Sequence, residues 1–243
     1  MSLAFKLLLS PVLIVQAMAT RRRAPVLPDA AGPRQGRLGS GGGRAVHVLI
    51  AGDSSAAGVG VAHQDQSVAG YLTRALHQRG ARPVHWALHA RSGLTTRQVH
   101  ELLQAERPDA ADVAVVITGV NDVIDQVPSG RAVQHREALA DWLLGECLAR
   151  HVLFAPLPPI HQFPLLPQPL RRVMGDDARR HNAAIERWAA TRSDVSVATI
   201  ALALGADSMA SDGFHPGEPV YRDCGEALAG LIADRITSME TSR

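Results

Sequence analysis

Residues 46 to 60 read VHVLIAGDSSAAGVG, an apolar run followed by a break that is rich in small residues. The run Val46–Ala51 has the length and composition of a buried β-strand, and the break starts at Gly52. In open α/β sheets, ligands bind at the carboxyl ends of the strands, which is where Ser54 would lie. A serine acts there as a nucleophile only if a base removes its proton and hydrogen-bond donors stabilise the oxyanion.

Strand-like and helix-like segments alternate along the rest of the chain. The apolar patterns predict further strands at 84–90, 112–118, 151–156 and 194–198, and helices at 67–80, 95–106, 131–150, 176–191 and 218–236. A Pro-rich loop, 157–170, follows the fourth strand. This alternation predicts an α/β fold in which a parallel sheet of five strands carries helices on both faces. Functional groups are then expected in the loops that follow the strands.

The composition of the 243-residue chain excludes some functions. With 46% hydrophobic and 20% charged residues it is typical of a globular protein. A net charge of +2 and only 4% aromatic residues argue against nucleic-acid binding. Cys147 and Cys224 are predicted to be free thiols on helix faces. His85 and His89 have no carboxylate ligand beside them, so no metal site is predicted.

The first 43 residues differ from the rest. Residues 1–20 are apolar, and Arg21–Arg23 follow them directly. This segment is compatible with a cleaved signal peptide, a membrane-surface anchor, or a helix packed on the protein itself or a partner. If it is retained, we expect a cytoplasmic or membrane-associated protein that contacts a membrane surface through 1–23; if it is cleaved, a secreted or periplasmic one. Residues 21–43, rich in Pro, Gly and Arg, predict a flexible linker, so the folded domain is expected to span 44–237.

His215 is the candidate base. It lies in the stretch SDGFHPG at 211–217, three residues after Asp212. A carboxylate so placed would hold the imidazole in the tautomer that leaves Nε2 free for the serine. The alternative for this stretch is a simple turn before a helix.

Two positions are candidate oxyanion donors. Asn121 lies in GVND at 119–122, directly after the most apolar strand, and its side-chain amide can donate a hydrogen bond. A polar turn that caps the next element is the alternative. Gly93 follows the second predicted strand, where a glycine lets the backbone N–H approach a ligand closely, although an ordinary loop glycine fits equally.

Together these segments resemble the four sequence blocks of the SGNH (GDSL-type) hydrolases. The matching residues are Gly52-Asp53-Ser54, Gly93, Gly119-Val120-Asn121-Asp122 and Asp212-Gly213-Phe214-His215-Pro216, in the family's order. The resemblance spans about 44–236 and implies a three-layer, flavodoxin-like α/β/α sandwich with five parallel strands. It implies Ser54 as the nucleophile and His215 as the base, oriented by Asp212. The oxyanion donors would be the Ser54 and Gly93 N–H groups and the Asn121 side chain, with no metal or organic cofactor.

Three neighbouring residues need separate interpretation. Ser55 stands where the GDSL name has leucine, which affects the pocket wall more than the chemistry. Asp53 is expected to accept backbone N–H bonds and fix the turn. Arg91 is expected to be solvated or salt-bridged, with contact to an anionic or carbohydrate group as the alternative.

The acyl pocket is predicted from apolar residues that would overhang the same edge of the sheet. They are Ile160, Phe163, Leu165 and Leu166 of the Pro-rich loop, with Val120, Val123 and Phe214. The alternative is that these residues only cover the core. An apolar wall favours a small-molecule ester of short to medium acyl chain, hydrolysed through an acyl-Ser54 intermediate.

Other functions stay open at this stage. Within the same site they are deacetylation of a carbohydrate, or cleavage of thioesters or lysophospholipids. Gly52-x-Ser54-x-Ala56 also comes close to the nucleophile elbow of α/β-hydrolases, but there several strands precede the serine. The non-enzymatic alternative is a binding protein that is tethered to a membrane. A phosphate loop at Gly58-Val59-Gly60 lacks the required glycine spacing and lysine.

Overall fold

A six-stranded sheet forms the centre of the computed structural model, which describes residues 3–40, 43–80, 82–202 and 204–241. The strands are β1 (Gln35–Leu38), β2 (Val46–Gly52), β3 (Val84–Ala90), β4 (Val113–Ile117), β5 (His151–Phe154) and β6 (Val195–Val197). Their order is β1-β3-β2-β4-β5-β6, and only β1 runs antiparallel to its neighbour. The parallel core of five strands therefore agrees with the prediction.

Helices cover both faces of the sheet. They are α1 (Leu3–Arg23), α2 (Val68–Gly80), α3 (Thr96–Glu106), α4 (Val120–Ile124), α5 (Ser129–Gly145), α6 (Leu170–Ala189) and α7 (Glu218–Thr241). Successive side chains of a strand point to opposite faces. Val48 and Ile50 of β2 pack in the core under α2 and α7, whereas Leu49 and Ala51 pack in the core under α3, α5 and α6. The result is the predicted three-layer sandwich.

The predicted linker 21–43 needs correction. Residues 35–38 form β1, which adds a sixth strand by pairing antiparallel with β3, and Ala30 is buried. Residues 41 and 42 lie outside the described residues. A four-residue edge strand, QGRL, gives too short a hydrophobic pattern to be distinguished from a loop. The packed part of the chain thus begins well before residue 44.

Other element boundaries differ from the predictions. The short helix α4, Val120–Ile124, was not predicted from the sequence. α6 begins at Leu170 rather than at residue 176, directly after Pro169, because a proline is compatible with the start of a helix. α5 ends at Gly145 rather than residue 150, and Leu148 beyond it has a φ of 52°, which a helix does not allow.

The N-terminal helix α1 lies against the start of α6. The Gln16 side chain donates to the carbonyl of Gln168 at 2.7 Å and accepts from the Leu170 N–H at 3.1 Å. Leu13 packs against the apolar cluster that contains Phe163 and Met174. Among the described residues, no helix has the length and hydropathy needed to cross a membrane.

Candidate active site

Three loops meet at one edge of the sheet because of the strand register. Gly52, the last residue of β2, pairs with Ala90 at the end of β3 and with Ile117 at the end of β4. The loops that carry Ser54, Gly93 and Asn121 therefore start side by side. The structure thus places the ends of these three strands, and the loops that follow them, at one edge of the sheet.

Ser54 lies in a tight turn directly after β2. The Asp53 N–H donates to the Ile117 carbonyl at 3.0 Å, and the Ala57 N–H donates to the Asp53 carbonyl at 2.9 Å. Gly60 closes the turn with a φ of 107°, and a Cβ there would collide with the carbonyl oxygen of Pro216. This close approach, and not phosphate binding, accounts for the glycine. It packs the nucleophile turn against the segment that carries His215.

Ser54, His215 and Asp212 form a continuous hydrogen-bonded line. Ser54 Oγ lies 3.0 Å from His215 Nε2, and His215 Nδ1 lies 2.6 Å from Asp212 Oδ2. Because a carboxylate only accepts, Nδ1 carries the proton and Nε2 is left to accept from the serine hydroxyl. This is the arrangement in which an imidazole removes a serine proton.

Asp212 is held in place by its own loop. Its Oδ1 accepts from the Phe214 and His215 N–H groups, each at 2.9 Å. Burial alone would raise the pKa of Asp212, but the hydrogen bonds from His215 and Phe214 outweigh it and hold the pKa below its usual value. Asp212 is therefore ionised at neutral pH and can stabilise a protonated His215.

The Asn121 side chain is oriented toward the cavity at this edge by the neighbouring loop. Its Nδ2 donates to the Leu94 carbonyl at 3.0 Å. A primary amide has two hydrogens, and no bond within the described chain uses the second. Gly93 adopts a φ of 83°, and nothing lies within 4 Å of the position that a Cβ would take. Its N–H thus belongs to an open, glycine-specific turn.

A buried ion pair lies beneath these loops. Asp122 and Arg136 are both almost fully buried, with Arg136 Nη1 3.5 Å from Asp122 Oδ2. Asp122 also accepts from the backbone N–H and the hydroxyl of Thr96. The pair joins α4 to α5, and the Thr96 bonds join α4 to the start of α3. Removing one partner of such a buried pair typically costs about 3–5 kcal/mol. Sequence reasoning missed Arg136, because an arginine in an amphipathic helix normally faces solvent.

Asp53 fixes the nucleophile turn, but only with one of its oxygens. Oδ1 accepts from the Ser55 N–H at 3.0 Å, while the buried Oδ2 has no partner among the described residues. Burial raises the pKa of Asp53 to about 7, against an ordinary value of 3.8. Asp53 thus fixes the turn as expected, but through only one backbone hydrogen bond, the one from the Ser55 N–H.

An apolar cavity of about 80 Å³ opens beside Ser54 and His215. Val120, Phe163 and Phe214, three of the residues proposed for the acyl pocket, line it. Val123 and Ile160 do not: both are buried in the core cluster with Leu157, Leu170 and Met174. Much of the remaining wall comes from residues that were not predicted to contribute, among them Ile200, Leu202, Leu204, Met209, Val220, Tyr221, Cys224 and Leu228. The sequence did carry a signal for part of this wall: residues 220, 224 and 228 are four apart, which places them on one face of the predicted last helix.

The described residues contain no group of three or more His, Cys, Asp or Glu side chains that could hold a metal ion. Cys147 and Cys224 are free thiols.

Residues 50–222 match the model of the GDSL-like lipase/acylhydrolase family. The chain belongs to this family. It is a carboxylic ester hydrolase of the SGNH type. A GDSL-like esterase of Mycobacterium tuberculosis is 24% identical, over 93% of this chain and 77% of the relative.

Two solved structures illustrate the shared fold. A lipase from a goat rumen metagenome has a TM-score of 0.63 at 16% identity, covering 76% of this GDSL-type hydrolase and 96% of that chain. A family 3 carbohydrate esterase of Clostridium thermocellum has a TM-score of 0.61 at 14% identity, covering 81% and 99%. At these identities the likeness shows the fold, and the substrate has to be argued from the site.

Arg91 is the charged side chain nearest to Gly93 in the sequence of this hydrolase. It is exposed, and its guanidinium lies 3.8 Å from the Glu106 carboxylate. A partner at that distance on an exposed surface contributes little energy. Arg91 thus fits the salt-bridged interpretation.

Proposed function

We propose that this hydrolase cleaves carboxylic esters with short- to medium-chain acyl groups through an acyl-Ser54 intermediate. The observation that carries the proposal is the line from Ser54 through His215 to Asp212, at the mouth of an apolar cavity. A serine hydroxyl is a weak nucleophile unless a base is within hydrogen-bond reach, and His215 Nε2 is at 3.0 Å.

In the first half-reaction, Ser54 Oγ attacks the ester carbonyl carbon while His215 Nε2 takes the hydroxyl proton. The carbonyl oxygen becomes an oxyanion, which the N–H groups of Ser54 and Gly93 and the Asn121 amide stabilise. His215 then gives its proton to the leaving alcohol oxygen as the C–O bond breaks, leaving the acyl-enzyme. In the second half-reaction, His215 takes a proton from water as the water oxygen attacks the carbonyl carbon of the acyl-enzyme. His215 then returns the proton to Ser54 Oγ as the bond to Ser54 breaks, and the carboxylic acid leaves.

The cavity supports a limited acyl length. Its volume of about 80 Å³ is smaller than the roughly 150 Å³ apolar cavity that accommodates benzene in other proteins. Its lining is mostly apolar, so an acyl chain of a few carbons gains free energy by leaving water, at about 0.8 kcal/mol per buried methylene. Longer chains would extend past the cavity into solvent.

A fluorophosphonate probe tests the nucleophile. It is expected to label the wild-type protein and the Ser55→Ala variant, but not Ser54→Ala, because only Ser54 is bonded to His215. Ser55 is the matched control, since it is the adjacent serine. Equal labelling of Ser54→Ala and wild type would refute the assignment. A series of nitrophenyl esters should then give its highest kcat/KM in the acetyl-to-hexanoyl range; an acetylated-sugar substrate preferred over all of them would favour the deacetylase alternative.

We also propose that α1 contacts the surface of a membrane that contains anionic lipids. One side of α1 faces the protein through Leu13 and Gln16, while five large apolar side chains elsewhere on the helix are exposed: Leu8, Val12, Ile14, Val15 and Met18. Arg21–Arg23 end the helix and are exposed, and the first acidic residue of the sequence is Asp29. Exposed apolar area with adjoining positive charge suits an anionic bilayer surface.

Vesicle co-sedimentation tests this contact. The protein is expected to bind vesicles of phosphatidylcholine mixed with phosphatidylglycerol. Changing Arg21, Arg22 and Arg23 to Gln should weaken binding roughly 100-fold, at about 1 kcal/mol per arginine. The control changes three exposed arginines on other elements, Arg97, Arg187 and Arg222, to Gln, which alters net charge equally. If both triple variants lose binding equally, or if the wild type does not bind these vesicles, α1 is not the contact.

A further inference from the structure

A short segment before β1, residues 29–34, crosses two of the loops that form the active site. We call it the strap. On one side it holds the turn that begins at Ser54: the Ala30 N–H donates to the Ala57 carbonyl at 3.2 Å, and the Ala31 N–H donates to the Ala62 carbonyl at 3.0 Å. The buried Gln64 side chain donates to the Ala30 carbonyl at 3.1 Å and to the Ala57 carbonyl at 2.9 Å. The strap and the nucleophile turn are thus one bonded unit.

On its other side the strap holds the end of β3 and the loop that carries Gly93. The Arg34 carbonyl accepts from the Leu88 N–H at 2.7 Å, and Arg34 Nη2 donates to the Ala90 carbonyl at 2.7 Å. One residue beyond Arg91, Ser92 Oγ donates to Asp29 Oδ1 at 2.6 Å. The Asp29 carboxylate also lies 3.7 Å from the Arg34 guanidinium. These bonds hold Leu88, Ala90 and Ser92, so that every second residue on the way to Gly93 is bonded to the strap.

The loop 91–93 has few other restraints. In the described part of the chain these are a bond from the Arg91 N–H to the Gly52 carbonyl at 3.2 Å and the distant ion pair of Arg91 with Glu106. Gly93 itself has a positive φ and open space around it. A glycine with so few contacts of its own samples many conformations unless its neighbours are held.

We infer that Asp29 and Arg34 are positioning residues, which act through Ser92 and Ala90 to hold the Gly93 N–H in place for the oxyanion. The inference rests on the proposed function, because it takes Gly93 as a donor. Stabilisation of a transition state depends on donors that are already oriented when charge develops. A misplacement of about 1 Å can cost on the order of 100-fold in rate.

Steady-state kinetics of Ser92→Ala test this inference, since the change removes one exposed hydroxyl and leaves the backbone of the strap intact. We expect kcat to fall about 10-fold with KM unchanged, and the affinity for a boronic acid, which mimics the tetrahedral intermediate, to fall by the same factor. Ser92→Thr keeps the hydroxyl and should restore both values. Arg34→Gln should behave like Ser92→Ala, because it loses the charge that faces Asp29.

Arg37→Ala is the matched control, because Arg37 is an exposed arginine in the adjoining β1 and no bond in the described chain joins it to the loop 91–93. Wild-type kcat in Ser92→Ala, or an equal loss in Arg37→Ala, would overturn the positioning role. The thermal unfolding midpoints of all variants should match that of the wild type. If kcat falls only in variants whose midpoint also falls, the positioning role is overturned. The proposed function is tested separately, by the residual activity and the fluorophosphonate labelling of Ser54→Ala.

Discussion

Replacing Ser54 by alanine is expected to lower kcat/KM for ester hydrolysis by about 10⁴-fold or more. The reason is that the variant has no nucleophile, so hydrolysis proceeds only by direct attack of water near the oxyanion donors. Initial rates with a nitrophenyl ester measure the effect, using enough protein to detect the residual activity. Activity within 10-fold of the wild type would show that another group forms the acyl-enzyme.

The same argument predicts a non-additive series. His215→Ala should cost about as much as Ser54→Ala, and the double variant should be little worse than either, because both residues serve one proton transfer. Asp212→Asn is the most specific variant. Its oxygen can still accept from the Phe214 and His215 N–H groups, so the loop is retained, but its amide cannot accept from His215 Nδ1. Additive losses in the double variant would mean that Ser54 and His215 act in separate steps.

Ser54 and Asn121 were predictable from the sequence because each lies where a strand ends, and Asp212 and His215 because they lie three residues apart just before the last helix. A strand such as Val46–Gly52 has a strong local pattern, and parallel strands bring their carboxyl ends to one edge. Ser54 and Asn121 each follow such a strand, so their meeting requires only the usual strand order, whereas His215 lies in the loop that precedes the last helix, α7. The local signal and the topology point to the same answer here.

The strap, β1 and Arg136 were not predictable, for a common physical reason. Each depends on a partner far away in the sequence. QGRL becomes a strand only because β3 offers a free edge, and Arg136 is buried only because Asp122 and the Thr118 carbonyl receive it. The prediction of the pocket residues was partly wrong for the same reason. Val123 and Ile160 have the same apolar character as true lining residues, and only the folded chain shows that they pack in the core with Leu170 and Met174 of α6.

Asp53 was predictable in part. Its position in the turn follows from the sequence, but the burial of its carboxyl group, in which only Oδ1 has a hydrogen-bond partner among the described residues, does not. The folded chain holds its proton up to about pH 7, whereas the unfolded chain releases it near 3.8. Between these values the folded state binds more protons than the unfolded state, so the free energy of unfolding falls as the pH rises. Above about 7 the folded chain carries the full cost of a buried charge, and below 3.8 that cost is absent.

Asp53→Asn removes this titration while its side-chain oxygen can still accept from the Ser55 N–H. Relative to the wild type, the variant is expected to gain stability on the order of 3 kcal/mol between about pH 5 and about pH 8. Urea unfolding of both proteins across this range measures the difference. Asp53→Ala should show the same dependence on pH, displaced by a constant amount because the Ser55 bond is also lost. A stability difference that stays constant with pH would mean that Asp53 is already ionised at the lower pH, and that the turn beneath Ser54 accommodates its charge.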